Sequence, residues 1–262
     1  MKISLVINLD SRKPKGEQTG LFGGCIHPDF LDAGVFNKIQ FFKGFDIETI
    51  AYIDKHEPIP EKTLNYLYEL CDIVCISKHK DGPGFNDWNY QRALRLCTGD
   101  IVCHMDGDIA AFASNKESVQ EMIDLLEQYS FVSYPSVNSP YPAYDNSFDY
   151  FWASTRFFIC KRESLDFTEL DKMQRDYEYC YSTYPASRKE HWTEHLLGLW
   201  AKYKGKGVYY PPIDYEKLMV WCWDNYDDYI LNKLNSMPYE EVKQFAWYNN
   251  GIFYPNNLRL NL

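Results

Sequence analysis

Residues 89–108 read Asn89-Tyr-Gln-Arg-Ala-Leu-Arg-Leu-Cys-Thr-Gly99-Asp-Ile-Val-Cys-His-Met-Asp106-Gly-Asp108. Asn86 or Asp87 caps a helix that runs to Leu96, and Gly99 stops it. Residues 100–105 then form an apolar strand, and two carboxylates, Asp106 and Asp108, follow at once, before the small-residue turn Ile109-Ala-Ala. A helix, a glycine stop, a buried strand and a polar strand end make up one βα repeat of a layered α/β domain.

The same unit recurs toward the N-terminus. Residues 3–9 and 47–53 are β-branched runs that end at Asp10 and Asp54, and residues 72–77 give a third strand. Between them lie a loop with Gly16, Gly20, Gly23 and Gly24, a helix from Pro28 to Lys43, and a helix from Pro60 to Leu70 with Pro at its first turn. Strands spaced by helical stretches imply βαβ units and a mostly parallel sheet, in which ligands bind outside the carboxyl ends of the strands. Asp10, Asp54 and Asp106 all fall at such ends.

Downstream, a helix over 115–129 carries Val119, Met122, Ile123 and Leu126 as a core stripe. Strands are expected at 131–134 and 154–161, with the irregular, aromatic segment 135–150 between them. Helices at 164–173 and 191–203 follow; the second ends at Gly205, before Val208-Tyr-Tyr-Pro-Pro and a tail containing Trp221, Trp223 and Trp247. No linker divides the chain, so residues 1–262 are expected to form one domain, with 1–110 the ligand-binding half and 111–262 completing it.

Composition narrows the partners. The formal charge is −10, which gives no basic footprint for nucleic acid across the whole chain. Aromatic residues reach 17%, and aromatic faces suit both core packing and stacking on sugar rings or bases. The first ten residues hold only a short apolar run with no cleavage site, and no apolar stretch approaches a membrane span. Eight scattered cysteines without a C-x-x-C pair read as reduced, buried thiols, which together place the chain in the cytoplasm as an expectation.

Asp-x-Asp is weak as a bare pattern, and its context decides. Two carboxylates just past a buried strand can chelate a hard divalent cation, which in turn neutralises a diphosphate and helps it leave. Here the sequence resembles the family 2-like glycosyltransferases of the GT-A fold, which carry a helix A-R-N-x-G-I-x-x-A-x-G, an apolar strand and then Asp-x-Asp. Gly99, Leu94 and the carboxylate pair align with that pattern, while Gln91 stands for the usual Asn, Ala93 for Gly and Cys97 for Ala. The resemblance implies an α/β GT-A domain, a Rossmann-like mostly parallel sheet flanked by helices, with an aromatic-rich acceptor portion. It also implies a nucleotide diphosphate sugar as donor, a UDP sugar favoured, and Mn²⁺ or Mg²⁺ on Asp106 and Asp108. Asp10-Ser11-Arg12 and Asp54 match the positions that hold the nucleotide base, with Gln91, Arg92 and Asp106 completing the donor set; Asn8 stands where the family has Pro.

The match continues through Ser154–Leu165, similar to the family's acceptor-side strand, to Thr193-Glu194-His195, similar to the segment carrying the catalytic base of inverting members. The family usually has Glu-Asp there, so Glu194 and His195 are both candidate bases, ahead of an amphipathic helix. In some GT-A enzymes a C-terminal His completes the metal shell, and His191 is the candidate for that role. A glycan, a protein, a lipid-linked sugar and a modified phage-type DNA base all remain open as acceptor.

His191-Trp-Thr-Glu194-His195 is also H-x-x-E-H, a zinc-peptidase signature that is rarer by chance than Asp-x-Asp. A peptidase needs a further downstream ligand, for which only Glu216, Glu240 and Glu241 remain, and it leaves the strand-end carboxylates without a role. A non-catalytic nucleotide-sugar binder is the third class; it has little need of an ion on a leaving diphosphate. The transferase reading accounts for more of the sequence than either.

Overall fold

Apolar residues fill positions 3, 5, 6, 7 and 9, a density that suits a strand covered on both faces. In the computed structural model this segment is β1 (Lys2–Asp10), and every one of those side chains is fully buried. The structure describes residues 1–11, 35–55, 57–78, 91–107, 109–111, 116–133, 153–154, 157–184, 193–209 and 220–222.

The other strands are β2 (Asp46–Lys55), β3 (Ile73–Lys78), β4 (Ile101–Asp106), β5 (Ile109–Ala111), β6 (Phe131–Ser133), β7 (Phe157–Lys161), β8 (Val208–Tyr209) and β9 (Val220–Cys222). The helices are α1 (Asn37–Phe41), α2 (Glu61–Leu70), α3 (Lys116–Leu125), α4 (Phe167–Arg175), α5 (Tyr177–Thr183) and α6 (Thr193–Tyr203), together with a helical turn at 91–94. Seven strands form one sheet in the order β3-β2-β1-β4-β7-β6-β8. β1, β2, β3 and β4 pair parallel, as do β6 and β8, and β7 pairs antiparallel with both β4 and β6. The chain thus has the mostly parallel, helix-flanked α/β sheet that the resemblance implies.

Alternation along the strands divides the core in two. Ile3, Leu5, Ile7 and Leu9 of β1 join Cys103 and Met105 of β4 beneath Phe41, Phe42, Leu67, Val119, Met122 and Ile123. Val6, Tyr52, Val102 and Phe158 face the other way, onto Ala93, Leu94, Leu170, Met173, Cys180 and three leucines of α6. Fully burying Leu196, Leu197 and Leu199 stabilises by about 1.5–3 kcal/mol each relative to exposure, enough to fix α6 on that face.

Several expectations need correction. Ile109-Ala-Ala is a strand, β5, paired antiparallel with β9, and not a turn. The helix expected over 164–173 separates into a 3₁₀ turn at Arg162–Ser164 and α4, and α5 follows without having been anticipated. Asp166 and Asp176 start α4 and α5, their carboxylates accepting from the N–H groups of Glu169 and Tyr179. Strand β7 begins at Phe157 where 154 was expected. α6 is buried on nearly every side where an amphipathic helix was expected, because leucine, glycine and alanine occupy its lateral faces. The irregular segment 135–150, Asp108, His191, Arg12 and most of the aromatic tail lie outside the described residues.

Candidate active site

The strand order reverses between β1 and β4: the chain moves outward from β1 to β2 and β3, then returns to pair β4 with the other edge of β1. At such a switch point the connections diverge and leave a crevice beyond the carboxyl ends. The register places Asn8 of β1 opposite Asp106 of β4 and opposite Tyr52 of β2, and pairs Asp10 with Asp54. By alternation Asn8, Asp54 and Asp106 share the sheet face of Val6, Tyr52 and Val102. Asp54 is buried and Asp106 half-buried.

The turn after β4 is held from two sides. Gly107 N–H donates to the Asn8 carbonyl at 2.6 Å, extending the β1–β4 pairing past the strand end. The Gly107 carbonyl accepts from Lys38 Nζ at 3.2 Å, and Lys38 is fully buried. Sequence reasoning passed over this lysine. A signal was present: Val35, Lys38 and Phe42 fall at i, i+3 and i+7, one stripe of a helix, and a cation there interrupts an apolar face.

The reversed strand brings a second group to the same edge. Because β7 runs against β4, with Phe157 opposite Met105, the residues just before it lie at the carboxyl ends of the parallel strands. There Ala153 N–H donates to the Glu194 carbonyl at 3.1 Å, and Ser154 N–H donates to Ser133 Oγ at 2.9 Å, which itself donates to the Phe157 carbonyl. α6 therefore begins at the site edge. It ends at the opposite edge, where Gly205 and Gly207 close the helix onto Trp200 and Ala201 and Ser130 N–H donates to the Gly207 carbonyl. Gly207 adopts φ +84°, which favours glycine. Glu194 is half-buried in the first turn of α6, and His195 is buried. His104 was also missed: it is fully buried on β4 and stacks on Phe158 with ring centroids 5.5 Å apart.

Other expected donor residues have different surroundings. Ser11 Oγ accepts from Glu57 N–H at 2.8 Å and donates to the Glu57 carbonyl at 3.2 Å, while Ser11 N–H donates to the Asp54 carbonyl. Its hydroxyl thus joins the chain leaving β1 to the chain leaving β2. Gln91 is buried and its Nε2 donates to Gln174 Oε1 of α4 at 2.8 Å; Gln91 Oε1 has no hydrogen-bond partner among the described residues. Arg92 is exposed. Of Asp10 only the backbone is described.

Among the described residues no group of three or more His, Cys, Asp or Glu side chains forms a metal cage. Asp106 offers one hard oxygen donor of the kind Mn²⁺ and Mg²⁺ prefer, at a turn anchored through Gly107, and in that respect it fits a hard ion. No described helix is long and apolar enough to cross a membrane.

No protein-family model and no curated protein matches the chain. Solved structures resemble it in overall shape. A mannosyltransferase from Pyrobaculum calidifontis, in complex with GDP-Man and Mn²⁺, aligns at 13% identity and TM-score 0.49 over 89% of this chain and 61% of its own. A cytidylyltransferase from Leptospira borgpetersenii aligns at 18% identity and TM-score 0.49 over 97% of this chain and 100% of its own. The TarS protein of S. aureus, residues 1–349, aligns at 12% identity and TM-score 0.46 over 94% of this chain and 69% of its own. The chain spans under two thirds of the mannosyltransferase's length, and likenesses this distant decide nothing about its reaction.

Proposed function

We propose that this chain is a glycosyltransferase of the GT-A type, moving a sugar from a nucleotide diphosphate donor, a UDP sugar favoured, to an acceptor hydroxyl with inversion. The observation that carries this reading is the position of Asp106: it ends β4 opposite Asn8 at the switch point, on the edge where α6 begins with Glu194. A diphosphate needs charge neutralisation at a strand end, and an acceptor hydroxyl needs a base opposite it.

Asp54, buried at the end of β2, is the residue we assign to the nucleotide base, with Asp10, Ser11 and Arg12 beside it. Ser11 acts through the backbone of Glu57, holding the two strand ends at a fixed spacing. Gln91 and Arg92, on the helical turn at 91–94, are the residues we assign to the rest of the donor set. Mn²⁺ or Mg²⁺ held by Asp106 and Asp108, with His191 as a further ligand, would supply neutralisation of the leaving diphosphate. Glu194 accepts the acceptor's proton as its oxygen attacks the sugar, and His195, buried behind it, is the alternative base.

The test is thermal stabilisation by UDP, measured with Mn²⁺ and with a chelator. Stabilisation should require the ion and vanish in Asp106→Asn and in Asp108→Asn. Equal stabilisation in the chelator contradicts the assignment of the turn. Zinc retained stoichiometrically through purification, with peptidase activity, would replace the reading by the H-x-x-E-H one. Incubation with Mn²⁺ and a panel of nucleotide sugars, scored by released nucleotide, identifies the donor.

A further inference from the structure

Buried polar atoms in folded proteins nearly always have a hydrogen-bond partner, because the water they give up must be replaced, so each exception calls for an explanation. Three exceptions border the candidate site: Asn8 Oδ1, Ser77 Oγ and Gln91 Oε1 are buried and find no partner among the described residues. Ser77 stands opposite Asp54 at the end of β3, and by alternation it shares the sheet face of Cys75. Gln91 precedes Ala93 and Leu94, which pack on that same face. Gln91 uses its Nε2 on Gln174, and Asn8 uses its main-chain carbonyl on Gly107 N–H at 2.6 Å. Asn8 is flanked on both sides, with Tyr52 of β2 opposite it on one and Asp106 of β4 on the other. The residue as a whole is only half-buried, so its amide is not sealed in the core.

We propose that Asn8 is a specificity-determining residue: its side-chain amide takes a ribose hydroxyl of the nucleotide, so that the site prefers a ribonucleotide to its deoxy analogue. The inference rests on the transferase reading and deepens it by assigning the part of the donor between base and diphosphate. Sheet order gives the placement. β1 lies between β2, which carries the Asp54 assigned to the base, and β4, which ends in the Asp106 assigned to the metal and diphosphate. In any nucleoside diphosphate the ribose is the sole link between those two groups, so a ligand reaching from β2 to β4 crosses β1 with its ribose. The chemistry agrees with the placement. An amide oxygen needs a donor; ionised diphosphate oxygens only accept, whereas a ribose hydroxyl donates. A buried group that bonds a substrate hydroxyl is left unpaired by an analogue lacking it, which is how such a site discriminates.

Calorimetry at saturating Mn²⁺ with UDP, 2′-deoxy-UDP and 3′-deoxy-UDP tests this. The wild-type chain should bind at least one deoxy analogue about ten-fold or more weakly than UDP. In Asn8→Leu, UDP should weaken about ten-fold, to the level of that analogue, and the preference should disappear. The ligand-free variant should be at least as stable as wild type in urea, because a buried atom without a partner has been removed. A merely structural asparagine gives another pattern: lower stability, and every nucleotide weakened by one factor with the preference intact. That pattern overturns the proposal, and so does an unchanged UDP affinity, which is what a buried water on Asn8 would give. Should Asn8→Leu not fold, Asn8→Ala is read by affinity and preference alone. A wild-type chain that binds UDP without any preference ends this proposal and leaves the transferase reading standing; one that binds no UDP with Mn²⁺ overturns both.

Discussion

Glu194 and His195 are adjacent in sequence, yet α6 gives them different exposure: the residue at the helix start, Glu194, is half-buried, while His195 is buried. A base must reach the acceptor proton within about 2.6–3.2 Å or through one water, and only a group with a path to the acceptor can do so. Glu194→Gln keeps the shape and removes the proton acceptor, so turnover should fall about 10²–10⁴-fold with donor affinity nearly unchanged. Steady-state kinetics with donor titration checks this; a variant as active as wild type ends the assignment. His195→Ala is the companion: a dead histidine variant beside an active Glu194→Gln makes the imidazole the base. Asp54 is a separate case, since it is buried at the end of β2 and, in the proposed site, meets the base and not the diphosphate. Asp54→Ala should weaken UDP binding while leaving Mn²⁺ binding in place. Unchanged UDP affinity in a folded variant would remove Asp54 from the site. At this scale the sequence was legible in the positions of Asp54 and Asp106 at the ends of β2 and β4. It was opaque where a polar side chain reaches a distant partner, as Gln91 does to Gln174 and Lys38 to Gly107.

Gly99 shows how an element can be read correctly for an incomplete reason. Its sequence signal is a helix stop, and the chain does leave its helical turn before it. The structure adds a steric demand: a Cβ on Gly99 would lie 2.7 Å from the Lys2 carbonyl oxygen and 2.8 Å from Ser4 N, both backbone atoms of β1. Gly99 N–H also donates to Ser4 Oγ at 2.8 Å. Neither backbone atom can swing aside as a side-chain tip would. Gly99→Ala should therefore cost about 1–3 kcal/mol, seen as a lowered urea midpoint, and an unchanged midpoint would show that β1 can yield. The first four strands were legible because hydrophobic run, turn and run repeat locally. β5 was not, since Ile109-Ala-Ala is too short to signal a strand by itself and pairs with Val220–Cys222, more than a hundred positions away. α4 and α5 carried a readable sign in Asp166-x-x-Glu169 and Asp176-x-x-Tyr179, whose carboxylates bond the third following N–H. The burial of α6 on nearly every side was passed over although Leu196, Leu197, Gly198, Leu199 and Ala201 carry it.

Across the molecule the two ends of the sheet differ in character. The carboxyl end holds the candidate site; the amino end is closed by Glu48, which accepts from Ser4 Oγ at 2.6 Å, Thr98 N–H at 2.9 Å, Thr98 Oγ1 at 2.7 Å and Lys2 Nζ at 3.3 Å. Burial pushes this carboxyl up, but those hydrogen bonds outweigh it and hold the Glu48 pKa at about 2. A carboxyl lowered on folding contributes stability that is fully present above its unfolded value near 4.5 and lost as pH falls toward about 2. The contribution is at most about 3 kcal/mol. Glu48→Gln should lower stability at pH 7 and flatten the decline between pH 4.5 and 2, measured by urea unfolding across pH; an undiminished slope would locate the acid sensitivity elsewhere. Glu169 behaves alike: burial raises its carboxyl, and Tyr179, Tyr184 and Lys204 draw it down to about 2. The position of β1 has a consequence for synthesis. Its buried run is made before its partners, since Ile3 pairs with Ile47 on one side and with Ile101 on the other. At about 5–20 residues per second, roughly a hundred residues of further translation leave one flank of this strand open for about 5–20 seconds. The nascent chain therefore carries a sticky flank until β4 pairs with it, and its yield in a cell should depend on how well chaperones shield that interval.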